Sequence, residues 1–420
     1  MALLGLAIAC PPAPCRHPSS RLLDAALLIA LAGCALQVVP MPRGVVALVS
    51  PAAPAIENAF ALVTPAGPRT LSIRPPHTLW AAALLAGLLL LFLTARRVFE
   101  AGGVRVVCRT AAFTGLILAG VAIAQDASAK GLMYWRFAPP REGPAPFGPF
   151  TNRNHFATWA MMGVPLCLGY LATHAAAQPG TARGWRRRVV ASLDARAWML
   201  GTAAMLLMVA TAISLSRSGL AGLAVALAAS AVLMRPSGPD RIKSSRGLVY
   251  GGAVTLAGTL GILTAVGPQA IGSRFGASGT AVVDRLAIWR DTVPVLRDFW
   301  LAGTGAGTFQ TAMAVYQRSR PETIFNQAHN HYLQVAAEGG LLLGLPAAVA
   351  LAALWRAGRR SLAADGSPIY FLRAGAAAGL LAVAVQSFWE TGLTLPVNAA
   401  LAAVLAAILV HTPLRSAGSR

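Results

Sequence analysis

The sequence predicts an all-α, polytopic membrane protein with about ten membrane-spanning helices and one large external loop containing amphipathic helix. Three observations carry that expectation. Hydrophobic residues make up 56% of the 420 positions and charged ones only 12%, with a mean hydropathy of +0.61; too little polar surface remains to cover a soluble globule. Apolar stretches able to cross roughly 30 Å of hydrocarbon recur along the chain. The net charge of +21 comes from arginines that punctuate those stretches. Such a pattern suits lipid headgroups or a phosphorylated substrate, and it excludes a nucleic-acid-binding face.

Taken in order, residues 1–10 are apolar but lack a basic leader, so no cleaved signal peptide is expected. Spans are expected near 22–39, 78–95, 104–125 and 156–173, each an apolar run bounded by polar or basic residues. The next pair, 197–215 and 219–234, must be divided, because one helix from Trp198 to Met234 would measure roughly 55 Å. The polar run Ser214, Leu215, Ser216, Arg217 and Ser218 is where the chain turns. Spans at 247–267, 333–354, 369–388 and 393–411 complete the set.

Short basic loops hold Arg96 and Arg97, Arg183 with Arg186 to Arg188, Arg235 to Arg246, and Arg356 with Arg359 and Arg360. With ten spans all of these fall on one side, which places both termini in the cytoplasm. About 21 of the 35 basic residues then lie inside and about 14 outside, in longer loops, as the positive-inside bias requires. The external segments are 40–77, 126–155 and 268–331. In the last, Val283, Leu286, Trp289, Val293 and Leu296 recur at helical spacing, predicting an amphipathic helix against the membrane that Pro294 kinks or restarts. Cys10, Cys15, Cys34, Cys108 and Cys167 follow neither a disulfide nor a metal spacing and read as small apolar residues.

Several polar residues at span boundaries are candidates for chemistry. Arg217 lies in the tight hairpin, either as an anchor meeting lipid phosphate or as a cavity residue awaiting an anion. Arg285 and Arg290 are five residues apart on a helix and project differently, so one at most faces a given ligand. Their alternative is surface ion pairing with Asp284 or Asp291. His329 and His331 close the large loop, with Asn330 between them. An imidazole, titrating near about 6.5, can take a proton from a hydroxyl nucleophile; the plainer reading is an interfacial histidine bonded to backbone. Glu338 either packs within its helix or orients a histidine from below. Asn152, Arg153, Asn154 and His155 open the fourth span, more polar residues than a helix cap needs. Gly303 to Gly307 reads as a flexible turn, since no strand precedes it. No close pair of acids suggests a divalent metal.

The segments 147–157, Ser216 to Gly219, 285–290, 303–309 and 328–333 occur in the order seen in O-antigen ligase and polymerase-like membrane proteins, which the chain resembles over roughly residues 145–345. The glycines from Gly339 to Gly344 depart from the family spacing by one residue. The resemblance implies a GT-C-like helical architecture in the bacterial inner membrane. It also implies transfer of a glycan from a polyprenyl-diphosphate carrier, such as undecaprenyl diphosphate, to a hydroxyl acceptor on the periplasmic side. It assigns the carrier diphosphate to Arg217 and an arginine of the 285–290 segment, and the base to His329.

The expected partners are membrane lipid, the lipid-linked donor and a lipid A-core acceptor of lipopolysaccharide synthesis. No cofactor or metal is expected, the lipid-linked glycan diphosphate being a substrate. Guanidinium groups would stabilise charge growing on the departing diphosphate, and attack from the opposite face would invert the anomeric centre. Arg217, one of the other two arginines and His329 are expected to share an outward-open cavity. A polymerase of the same lipid-linked glycan is the near alternative. A lipid-linked glycan transporter or flippase, expected to show repeats and broken helices, is the alternative from another class.

Overall fold

The computed structural model describes residues 18–60, 67–139, 145–177, 194–235, 252, 255, 258, 278–320 and 323–412. These residues form helices and connecting turns, with isolated β-bridges but no strand among them. In chain order the helices are α1 (Pro18–Leu36), α2 (Arg43–Val49), α3 (Ala53–Phe60), α4 (Pro75–Glu100), α5 (Val104–Ser128), α6 (Arg153–Ala177), α7 (Ala195–Ile213), α8 (Arg217–Leu233), α9 (Ser278–Asp298), α10 (Phe309–Tyr316), α11 (His331–Ala364), α12 (Ile369–Gln386) and α13 (Pro396–Val410).

Among the described residues six helices, α4, α5, α6, α7, α11 and α12, are long and apolar enough to cross a membrane, while α8 and α13 are shorter apolar helices. This is a multi-pass membrane protein. At the first expected span stands α1, 19 residues long. The expected span at 247–267 lies outside the described residues except for Gly252, Thr255 and Gly258, which are helical. The final helix is shorter than the apolar run that announced it, because Gly392–Thr394 winds into a 3-10 turn and Pro396 then starts α13, a position that costs no hydrogen bond. The turn expected at 214–218 is present. It occupies residues 214–216, with Leu215 at φ 50°.

One compact unit comprises residues 92–277, 358–386 and 392–420. Its centre is α6, whose apolar window is wholly buried. That helix is apolar all round and rich in small residues, as a helix packed on every side must be. Where α6 meets α12 the backbones touch. A Cβ on Gly375 would stand 2.2 Å from the Pro165 carbonyl oxygen, and one on Gly169 would stand 2.5 Å from that of Phe371. Between these contact residues on α12, the buried Arg373 donates to Asp365 Oδ2 at 2.7 Å, to Leu409 O at 2.9 Å and to His411 O at 2.7 Å. Its guanidinium thus caps the carbonyl end of α13. Cys108 and Cys167 are free and buried here, as is Cys34 in the other unit; Cys10 and Cys15 lie outside the described residues.

The second unit comprises residues 1–91, 278–357 and 387–391. Its core joins Val46, Ile56, Val295, Phe299, Phe309 and Met313, so the large loop is a folded body whose helices α9 and α10 are covered by α2 and α3. In α9 the inward positions are Ile288, Thr292 and Val295, followed by Phe299 just beyond the helix. Of the predicted stripe, Val283, Leu286 and Val293 stay exposed, while Trp289 and Leu296 pack only partly. The helix is not restarted at Pro294 but continues through it to Asp298. Pro294 is exposed, so the carbonyl it leaves unbonded one turn earlier faces outward.

The same unit explains both glycine motifs. Helix α11 breaks at Gly340 (φ 52°, ψ −148°), which frees backbone groups that a membrane-spanning helix cannot leave unsatisfied. The 300–305 segment takes them up. Leu341 and Leu342 donate to Trp300 O and Leu301 O, each at 2.9 Å, while Ala337 O accepts from Thr304 at 3.0 Å and Glu338 O from Gly305 at 2.9 Å. The approach is close enough to exclude a side chain: a Cβ on Gly303 would stand 2.2 Å from Glu338 O. Gly303 to Gly307 is therefore a turn held tightly against α11. The buried Gln37 completes it, donating to Ala302 O at 2.8 Å and Glu338 O at 3.0 Å while accepting from Ala306 at 3.0 Å.

Candidate active site

The segment carrying His329 is pinned on both sides. Trp289 Nε1 donates to Ala328 O at 2.9 Å, Ala328 N–H donates to Gln334 Oε1 at 3.2 Å, and Asn330 Oδ1 accepts from Leu333 N–H at 3.0 Å as the N-cap of α11. His331 N–H donates to Ser387 O at 2.8 Å. Between these anchors His329 adopts φ 47°, a left-handed conformation costing a non-glycine residue of order 1 kcal/mol. The surroundings hold it there.

Residues 327–332 run antiparallel to residues 387–391. Thr391 Oγ1 bonds Gln327 Oε1, His329 meets Glu390, His331 bonds Ser387, and Tyr332 packs on Phe388. The pairing brings a fully buried carboxylate to the imidazole, with His329 Nδ1 at 3.3 Å from Glu390 Oε1. Arg285 Nη2, from α9, lies 3.8 Å from the other oxygen, Oε2. Burial pushes the Glu390 carboxyl upward. The hydrogen bond and charge of His329, the charge of Arg285 and the Thr391 N–H outweigh it, so the group sits below the usual carboxylate range and is ionised. His329 and Arg285 remain partly exposed, at 32% and 27% of their side chains.

Other residues singled out in the sequence fall as follows. Arg290 is exposed on α9 and, among the described residues, makes no hydrogen bond or ion pair. Neither arginine takes the surface partner available to it. Asp284 pairs with Arg320 at 2.5 Å, and the buried Asp291 accepts from the backbone of Arg318 at 2.9 Å and Ser319 at 2.7 Å. Glu338 accepts from Gly307 N–H at 2.8 Å, Phe309 N–H at 3.2 Å and Gln334 Nε2 at 3.2 Å. It ties the glycine turn and the start of α10 to α11. His331 Nδ1 is buried and has no hydrogen-bond partner among the described residues.

Arg217 and the 152–155 segment belong to the bundle unit, where two motifs from the sequence meet. Asn152 Oδ1 accepts from Asn154 N–H at 2.8 Å as the cap of α6, and Asn154 Oδ1 accepts from Ser216 Oγ at 2.7 Å. Ser216 in turn caps α8 by accepting from Gly219 N–H at 3.1 Å. Arg153 opens α6, and the carbonyl of the buried His155 accepts from Asn398 Nδ2 at 3.0 Å. Arg217 is the first residue of α8, half-buried, and among the described residues nothing bonds its guanidinium.

Sequence reasoning did not single out Glu390. A signal was present, since Glu390 is one of only 14 acids and lies between the last two apolar runs, where an ionisable residue is functional by default. Its separation from His329 by 61 positions hid the pairing.

No curated protein matches the chain. Residues 202–348, about a third of the length, match the family model described as O-antigen ligase. The match takes in Arg217, Arg285, Arg290, His329 and Glu338, and ends before Glu390. Over residues 202–348 the chain is similar to the O-antigen ligase family.

Proposed function

We propose that this protein transfers a glycan from a polyprenyl-diphosphate carrier to a hydroxyl acceptor at the outer face of the bacterial inner membrane, the acceptor being lipid A-core. The observation carrying this reading is the buried Glu390 carboxylate shared between His329 and Arg285. With Nδ1–H given to Glu390, His329 presents Nε2 as the free proton acceptor. In the step proposed, Nε2 takes the acceptor hydroxyl proton, the hydroxyl oxygen bonds to the anomeric carbon, and the bond from that carbon to the diphosphate oxygen breaks. The ionised Glu390 offsets the imidazolium charge, as a carboxylate does for a catalytic base.

Charge leaving with the diphosphate is met by arginine. Arg285 points one end of its guanidinium at Glu390 and keeps the others for phosphate oxygens, and Arg217 is assigned the same ligand. The position of Arg217 supports an anionic partner, since a cation at the first turn of a helix opposes the helix dipole and gains nothing locally. The acyclic lipid of the carrier explains why the reaction belongs to a membrane protein. A transporter reading loses support at α11. Broken helices in transporters offer their freed ends to ions or substrate, but here the 300–305 backbone occupies the groups freed at Gly340.

The test is transfer of labelled glycan by the full-length protein in nanodiscs, offered purified lipid A-core and, separately, a second carrier-linked repeat. Product on lipid A-core is expected; product on the carrier-linked repeat alone would make the protein a polymerase. His329→Ala should abolish either product while the protein stays folded. Continued movement of lipid-linked glycan by His329→Ala, with no product formed by wild type, would instead mark a transporter.

A further inference from the structure

The antiparallel clasp that joins Glu390 to His329 also brings two rings together. Tyr332 and Phe388 lie with centroids 4.8 Å apart and planes at 49°. Phe388 packs against Tyr332 in this tilted arrangement and remains 55% exposed. Exposed aromatic rings are common on membrane proteins, but a lipid-facing ring keeps aliphatic company. This pair sits in a clasp whose other members are Gln327, His329, Glu390 and Thr391. An exposed aromatic ring in a clasp that also carries amide, hydroxyl and imidazole groups has the composition that receives a sugar, whose C–H face is apolar and whose rim is hydroxylated.

We propose that Tyr332 and Phe388 form the platform on which the acceptor saccharide stacks. The inference rests on the glycan-transfer reading and extends it. A hydroxyl losing its proton to His329 must come within about 2.6–3.2 Å of the imidazole, so the pyranose bearing that hydroxyl covers the groups beside His329. Phe388 stands two residues from Glu390, and Tyr332 three from His329. The ring of Phe388 carries the C–H face, and the same clasp presents the base to the rim.

The experiment uses the full-length protein in nanodiscs, with labelled donor and purified lipid A-core. Phe388→Ala, Phe388→Leu, Phe388→Trp and Tyr332→Phe are compared with wild type, varying acceptor at saturating donor and then donor at saturating acceptor. Loss of the platform should raise the acceptor KM roughly two- to tenfold in Phe388→Ala and equally in Phe388→Leu. Phe388→Trp and Tyr332→Phe should behave as wild type, and the donor KM should not change. Full recovery by leucine would show that only greasy volume is needed, and would overturn the proposal. So would a change confined to the donor KM, or wild-type kinetics in every variant. Absence of transfer by wild type to any acceptor would defeat the function reading first, and the platform with it.

Discussion

At the scale of single residues the site turns on Glu390. A neutral isostere keeps its shape and its acceptor for the Thr391 N–H but removes the charge that orients and supports His329. On the glycan-transfer reading, Glu390→Gln is therefore expected to lower the maximal transfer rate roughly hundredfold or more while leaving the acceptor KM nearly unchanged. Steady-state kinetics on folded protein checks this. A pH consequence follows with a fixed sign. A carboxyl held below its ordinary value of 4.5 stabilises the fold fully above that value, and the contribution is lost as pH falls through the lower folded value. In thermal melts, the stability gap between wild type and Glu390→Gln should therefore persist from neutral pH downward and close only below about 4.5.

At the scale of elements, the break in α11 is held by backbone hydrogen bonds from the 300–305 segment, with Gln37 bonded to the same turn. Gly303→Ala would drive a methyl into the Glu338 carbonyl and is also placed at φ 68°, so a loss of about 2 kcal/mol or more is expected. Differential scanning of the detergent-solubilised protein would measure it. A methyl on exposed Gly120, which meets nothing within 4 Å, should be tolerated. On α12, removing the Arg373 guanidinium strands Asp365 and two carbonyls of the α13 terminus. Arg373→Ala should cost about 3 kcal/mol, and Arg373→Lys should recover only part, since a single ammonium cannot repeat three directed contacts.

For the whole molecule, the glycan-transfer reading requires the folded 278–330 body and the Ser216 to Gly219 turn to work on the outer side. Single cysteines introduced at exposed Ile324 and Leu48, in a background lacking the native cysteines, should react with an impermeant maleimide added to intact cells. A cysteine at Gly366, on the α11 to α12 connection, should react only after the cells are opened. Arg217→Ala should raise the donor KM by roughly tenfold or more without altering the acceptor KM, as loss of a charge-assisted phosphate contact would. An unchanged donor KM would remove Arg217 from the diphosphate.

The hydrophobic runs, the turn forced by helix length at 214–216 and the helix at 278–298 were all legible in the sequence, because period and length are local properties of the chain. His329 and the arginines stood out in the sequence as candidates, because ionisable groups at span ends are rare. Tertiary structure alone decided which face of α9 turns inward, that Arg285 and not Arg290 shares a carboxylate with His329, and that this carboxylate is Glu390. It also turned two glycine motifs 35 positions apart, at Gly305 and Gly340, into one splinted helix break. The physical reason is common to these cases. A residue's type and spacing fix what it can offer, but a hydrogen bond or a close backbone approach needs a partner, and partners distant along the chain meet only when the chain folds.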